Sequence, residues 1–167
     1  MENNNTKNLY ILTWKPEFGS YSAEQFNELK KILRKEGSAK TPWSVRAAQV
    51  VKNDFVVLFR QGQVTGLYGF GHIFNSSEII EKDGSKKVEV VLTNLRDSID
   101  QPFFSKQDLI RQGFNEKLLN AQSSAQGSVP TDQAQTLNQI LINKYGFGLD
   151  RACFEYCIDK IQKIIKQ

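Results

Sequence analysis

Histidine and cysteine are scarce in this chain. Its 167 residues include one His, His72, and two Cys, Cys153 and Cys157. A zinc finger, a zinc nuclease or a histidine-based hydrolase needs more ligands or bases than that. No GxxxxGK[ST] loop occurs, which excludes a P-loop nucleotidase. No run approaches ~18 apolar residues. The opening Met1-Glu2-Asn3-Asn4-Asn5 has no apolar signal region, so a cytoplasmic protein without a membrane segment is expected. A dense excess of positive charge is also missing. Lys and Arg total 22 against 18 Asp and Glu, a formal charge of +4, which permits a nucleic-acid partner without demanding one.

What is present is ordinary globular material. Apolar residues make up 40% and charged residues 24%, and the length suits one domain with a core of its own. Cys153 and Cys157 sit one helical turn apart with no further Cys or His nearby, so they read as small core hydrophobes. His72, between Phe70 and Phe74, reads as a structural His. Asp97 with Asp100, and Glu78 with Glu81, are close in sequence but lack any nucleophile–base pairing. Composition therefore points to a binder without cofactor or metal rather than to an enzyme.

Local patterns predict the elements. Residues 1–8 are polar and expected to be disordered. Leu9–Trp14 reads as a buried strand ended by Lys15-Pro16. A helix over about 23–36 carries Phe26, Leu29, Ile32 and Leu33 at helical spacing and stops at Gly37. Its basic cluster Lys30, Lys31, Arg34 and Lys35 alternates with Glu24, Glu28 and Glu36 and defaults to a solvated face. Thr41-Pro42-Trp43 predicts a second, short helix with Thr41 as cap. Strands follow at 55–60 and 64–75, the latter broken by Gly66, Gly69 and Gly71. A hairpin is expected from Ile79-Ile80-Glu81 to Lys87–Leu95 across Lys82-Asp83-Gly84-Ser85. Glycine-broken short strands suggest a small, strongly bent barrel. Ser105 with Asp108 starts a short helix. Residues 120–130 are polar and irregular, Thr131 caps a helix to about Lys144, and a last helix runs from about Leu149 to 166.

The two Trp residues sit at element edges beside Pro16 and Pro42. Core packing is the usual fate of Trp, but a flat aromatic wall can also stack on a nucleobase, each stack being worth ~1–3 kcal/mol. Reading one base of a duplex requires taking it out of the stack into an aromatic slot rimmed by polar groups. Gln122, Ser123 and Ser124, in the polar loop, are candidates for that rim.

Four segments, in order, resemble the EVE domains. Tyr10-Ile11-Leu12-Thr13-Trp14-Lys15-Pro16 is similar to their opening strand-Trp-Asn-Pro motif. Trp43, followed by Lys52-Asn53-Asp54 and the strand ending at Arg60, resembles their Trp and Gly-Asp-strand-Arg segment. Gly66-Leu67-Tyr68-Gly69-Phe70-Gly71-His72-Ile73 resembles their glycine-rich strand, and Gln122-Ser123-Ser124 with Gly127 and Val129-Pro130 their late loop. The resemblance covers about residues 9–145. Lys15 replaces the usual Asn, Asn53 a common turn Gly, and two additional residues separate Ser124 from Gly127.

The resemblance implies an α+β, PUA-like small bent β-barrel with flanking helices, related to the YTH domains, spanning residues 9–147. Residues 148–167 are then expected to be a linker or docking helix. It also implies a reader of 5-methylcytosine or an oxidised form in DNA by base flipping. Such a reader is stand-alone or the N-terminal module of a modification-dependent restriction enzyme, working with a fused or partner nuclease or translocase. Thr13, Trp14, Trp43, Ser44, Gln122, Ser123 and Ser124 match the modified-base pocket. Lys15, Arg46, Arg60 and Arg96 are the expected DNA-backbone contacts. Modified RNA, as for YTH domains, and a protein partner held by the helical C-terminal part are the alternatives.

Overall fold

A computed structural model describes residues 7–14, 23–46, 49–62, 64–97, 100–120 and 127–157. The chain forms an α+β fold around an open mixed sheet. Strand β1 (Leu9–Trp14) is followed by helix α1 (Ala23–Glu36), then β2 (Ala39–Val45), β3 (Phe55–Arg60), β4 (Gly66–Ile80), β5 (Lys86–Leu95) and β6 (Phe104–Ser105). Four helices complete the described chain: α2 (Lys106–Arg111), α3 (Glu116–Leu119), α4 (Thr131–Tyr145) and α5 (Leu149–Ala152). The strand order is β1-β3-β4-β5-β2, with β6 pairing to β4; β1 and β3 are parallel and the other pairs antiparallel.

Side-chain alternation divides the apolar residues between two cores. From β1, Tyr10, Leu12 and Trp14 join Val56, Leu58, Tyr68, Val88 and Val90 beneath α1, which contributes Phe26 and Leu33. Leu9 and Ile11 join Val57, Phe59, Leu67 and Phe70 on the other face, covered by α2 to α5. A strand buried on both faces must be apolar at successive positions, which is why Leu9–Leu12 is an unbroken apolar run.

Several local signals act as expected. Helix α1 ends at Gly37, whose φ of +82° lies in the left-handed region glycine tolerates. Ser105 caps α2, its Oγ accepting from the Asp108 amide at 3.1 Å. Gly71 marks a close backbone approach: a Cβ there would lie 2.1 Å from the Val91 carbonyl oxygen.

Other elements differ. Residues 39–45 form strand β2, not the short helix expected at Thr41-Pro42-Trp43. Ala39, Thr41 and Val45 are buried while Lys40, Pro42 and Ser44 are exposed, a period of two. Pairing with β5 across seven positions outweighs the local cap signal, and Pro42 is tolerated because β2 ends the strand path. Strand β4 is one fifteen-residue element whose irregularities at Phe70/Gly71, Ile73/Asn75 and Ser76/Ile80 absorb the bends expected to break it. Pro130, not Thr131, occupies the N-cap of α4.

The C-terminal part is also different. Helix α5 stops at Ala152, and residues 153–157 continue as turns. Leu149, Ala152, Cys153 and Cys157 are buried in the core shared with α4. Residues 148–157 are therefore integral to the domain rather than a linker beyond 147. Residues 1–6 and the last part of the expected final helix, 158–167, lie outside the described residues.

Candidate nucleic-acid interface

The strand registers settle which way each expected site residue points. Trp14 aligns with Arg60, and Trp43 with Val88. Both Trp side chains therefore belong to the face occupied by the α1 core. Their exposures differ. Trp14 is 4% exposed, with its ring 5.0 Å from that of Phe26 and stacked on it, whereas Trp43 is half-buried at the margin of the same core. Trp14 is thus a core aromatic, and Trp43 the accessible one.

Thr13 and Ser44 do not accompany them. Neighbouring residues of a strand point to opposite faces, so Thr13 lies on the face of Phe59 and Ser44 faces outward beside Lys87. Expecting the pairs Thr13–Trp14 and Trp43–Ser44 to share one pocket overlooked this alternation.

Of the expected phosphate contacts, Arg46 is exposed, its Nη1 donating to the Asp83 carbonyl at 2.9 Å. Arg60 and Arg96 are corrected: both are buried, at 6% and 7% exposure. The Arg60 guanidinium lies 5.7 Å from the Trp14 ring centroid and 5.8 Å from that of Tyr68. Arg60 therefore braces the aromatic cluster. Burial holds the Tyr68 phenol above its usual pKa, with Arg60 opposing the shift. Arg96 donates from Nε to the Gln101 carbonyl at 2.9 Å and covers Phe103.

Lys15 and the Gln122-Ser123-Ser124 loop lie outside the described residues. The chain leading into that loop is anchored close to the end of β1. Gln61 donates its amide to the Trp14 carbonyl at 2.7 Å and its side chain to the Leu119 carbonyl at 3.5 Å.

Nothing catalytic gathers around His72. Its Nδ1 donates to the Cys153 carbonyl at 2.8 Å, and its ring stacks on Phe154 at 4.2 Å. Burial lowers its pKa from the ordinary histidine value, and the nearby Lys7 adds to the shift. Burial drives the Cys153 thiol strongly upward, so it is inert rather than nucleophilic. Among the described residues no cluster of three or more His, Cys, Asp or Glu could hold a metal, and no helix is long and apolar enough to cross a membrane.

Two surface features escaped the sequence reading. Phe74, 36% exposed, has Lys40 Nζ 3.9 Å and Lys52 Nζ 5.4 Å from its ring centroid. Lys40, Asn75, Ser77 and Lys87 line an adjoining groove of about 330 Å³. The second feature is Ile79 and Ile80, which end β4 largely in solvent. An apolar run in sequence shows a strand, but not that the strand projects beyond its sheet. Neither a protein-family model, nor a curated protein, nor a solved structure matches this chain.

Proposed function

We propose that this chain is a non-enzymatic reader of modified cytosine in DNA, of the EVE type, which takes the base out of the duplex and stacks it against Trp43. The observation that carries this reading is the common orientation of Trp14 and Trp43, which approach one core from widely separated strands while Trp43 keeps part of its surface accessible. Trp14, stacked on Phe26 and covered by Arg60, forms a rigid backing to such a slot. The PUA-like bent barrel belongs to the same proposal. Its support is that β1 and β2, the two ends of the strand path, both contribute to the core beneath α1, as a curled sheet would require.

The late loop fits the polar rim of the slot. Its entry is tied through Leu119 and Gln61 to the end of β1, so Gln122, Ser123 and Ser124 start from the vicinity of Trp14. Phosphate positioning falls to Lys15 and the exposed Arg46, since Arg60 and Arg96 are engaged internally. Cleavage would belong to a separate nuclease or translocase.

A titration panel tests this. One duplex sequence carries cytosine, 5-methylcytosine, an oxidised methylcytosine or a methylated adenine, with the methylated RNA counterpart alongside. Preference for a modified-cytosine duplex is expected, weakening steeply with salt. Trp43→Ala should remove the preference while leaving the fold intact. Loss of one stack, about 1–3 kcal/mol, is roughly a 5- to 150-fold drop in affinity for the preferred duplex. Unchanged discrimination by the variant would overturn the pocket, and preference for RNA would favour the YTH-like alternative.

A further inference from the structure

The ribbon formed by the end of β4, the turn and the start of β5 terminates in apolar surface. Ile79 is 72% exposed and Ile80 58%. Val51, 57% exposed, lines the same groove of about 490 Å³ as Ile80, with Lys52. Isolated exposed aliphatics are common, but adjoining ones on a projecting ribbon mark an interaction site. Successive strand residues project to opposite faces, so Ile79 and Ile80 make both faces of the ribbon end apolar. A flat protein partner would need only one such face. Insertion between two flat apolar surfaces uses both, and the stacked base pairs of a duplex provide them.

The ribbon is stiff enough to insert. The Glu81 amide donates to the Ser85 carbonyl at 2.7 Å and the Gly84 amide to the Glu81 carbonyl at 2.9 Å, with Gly84 at φ +86°. Asp83 accepts from the Ser85 amide at 3.0 Å and from its hydroxyl at 2.6 Å, which ties its charge into the turn. The neighbouring exposed cations are Arg46, Lys52, Lys82 and Lys87, facing exposed Glu81, a balance that suits phosphates.

Position relative to Trp43 completes the case. Val45 aligns with Lys86, and Lys86 with Ile80, while Trp43 aligns with Val88. Ile80 is thus two strands across and two residues along from Trp43, about 12 Å at ordinary strand spacings. A base turned by ~180° about its backbone moves over a comparable distance.

We propose that Ile79 and Ile80 form a wedge that enters the duplex and fills the gap left by the flipped base. This rests on the base-flipping reading given above. An apolar wedge of this kind stabilises the unstacked step and so offsets part of the cost of extrusion.

The test uses the full chain and duplexes with a single 5-methylcytosine or 5-hydroxymethylcytosine, each also presented as the isolated modified strand. The variant Ile79→Thr/Ile80→Thr keeps β propensity and changes only exposed side chains. Its affinity for the modified duplex should fall about tenfold or more, while its affinity for the single strand, where nothing must be unstacked, stays that of the parent. A 2-aminopurine placed next to the modified base should brighten with the parent protein and not with the variant. Duplex affinity equal to the parent's, or equal losses on duplex and single strand, would overturn the wedge. If the parent itself shows no preference for a modified duplex, the reader proposal fails, and the wedge with it.

Discussion

Replacing Asn94 by Ala tests whether the C-terminal segment belongs to the domain. Asn94 is fully buried on β5. Its Nδ2 donates to the carbonyls of Ala152 and Glu155, both at 2.6 Å, and its Oδ1 accepts from the Cys157 amide at 2.9 Å. One side chain thus satisfies three backbone groups of the turn after α5. Truncation strands two carbonyls and one N–H and leaves a small void. A buried polar group without a partner costs about 1–3 kcal/mol. Partial rehydration of the Glu155 end lowers the sum, so about 3–5 kcal/mol is expected, a large part of the ~5–15 kcal/mol typical of domain stability. Urea unfolding followed by tryptophan fluorescence measures it. Trp14 lies in the other core, so a lowered midpoint at that probe means global destabilisation rather than local release. A loss below about 1 kcal/mol, or release of residues 153–157 at an unchanged Trp midpoint, would refute the reasoning.

Two further outcomes follow from the same geometry. Because burial depresses the His72 pKa, the unfolded chain takes up its proton first as pH falls. The stabilising contribution of neutral His72 is therefore complete above about pH 6.5 and is lost as pH drops through the lower folded value. The thermal midpoint of a His72→Gln variant should show a shallower acid dependence than that of the parent; an identical slope would contradict this. Gly71→Ala, whose Cβ would fall 2.1 Å from the Val91 carbonyl oxygen, must force β4 and β5 apart, and little folded protein is expected by circular dichroism.

The elements legible in the sequence are those whose signals are local. The Ser105 hydroxyl lies within reach of the Asp108 amide whatever the rest of the chain does, and Gly37 meets no competitor at the end of α1. Thr41-Pro42 offered an equally local cap signal, but strand pairing with β5 prevailed there. Arg60 and Arg96 looked like surface cations for a related reason. Charge is visible in sequence, whereas the aromatic rings that sheathe these two guanidiniums come from β1, β4 and the chain before β6.

By itself the sequence determined the α+β class, the strand run Leu9–Trp14, helix α1, the absence of a histidine-rich centre and the two Trp residues as the aromatics to follow. Each rests on composition or on neighbours a few residues apart. Tertiary structure alone decided that Trp14 is core while Trp43 is accessible, that Thr13 and Ser44 turn away from them, that residues 148–157 belong to the domain, and that Ile79 and Ile80 project into solvent. Those outcomes depend on which strand lies beside which, and in what register. A shift of one residue there exchanges the faces of every side chain without altering the local pattern.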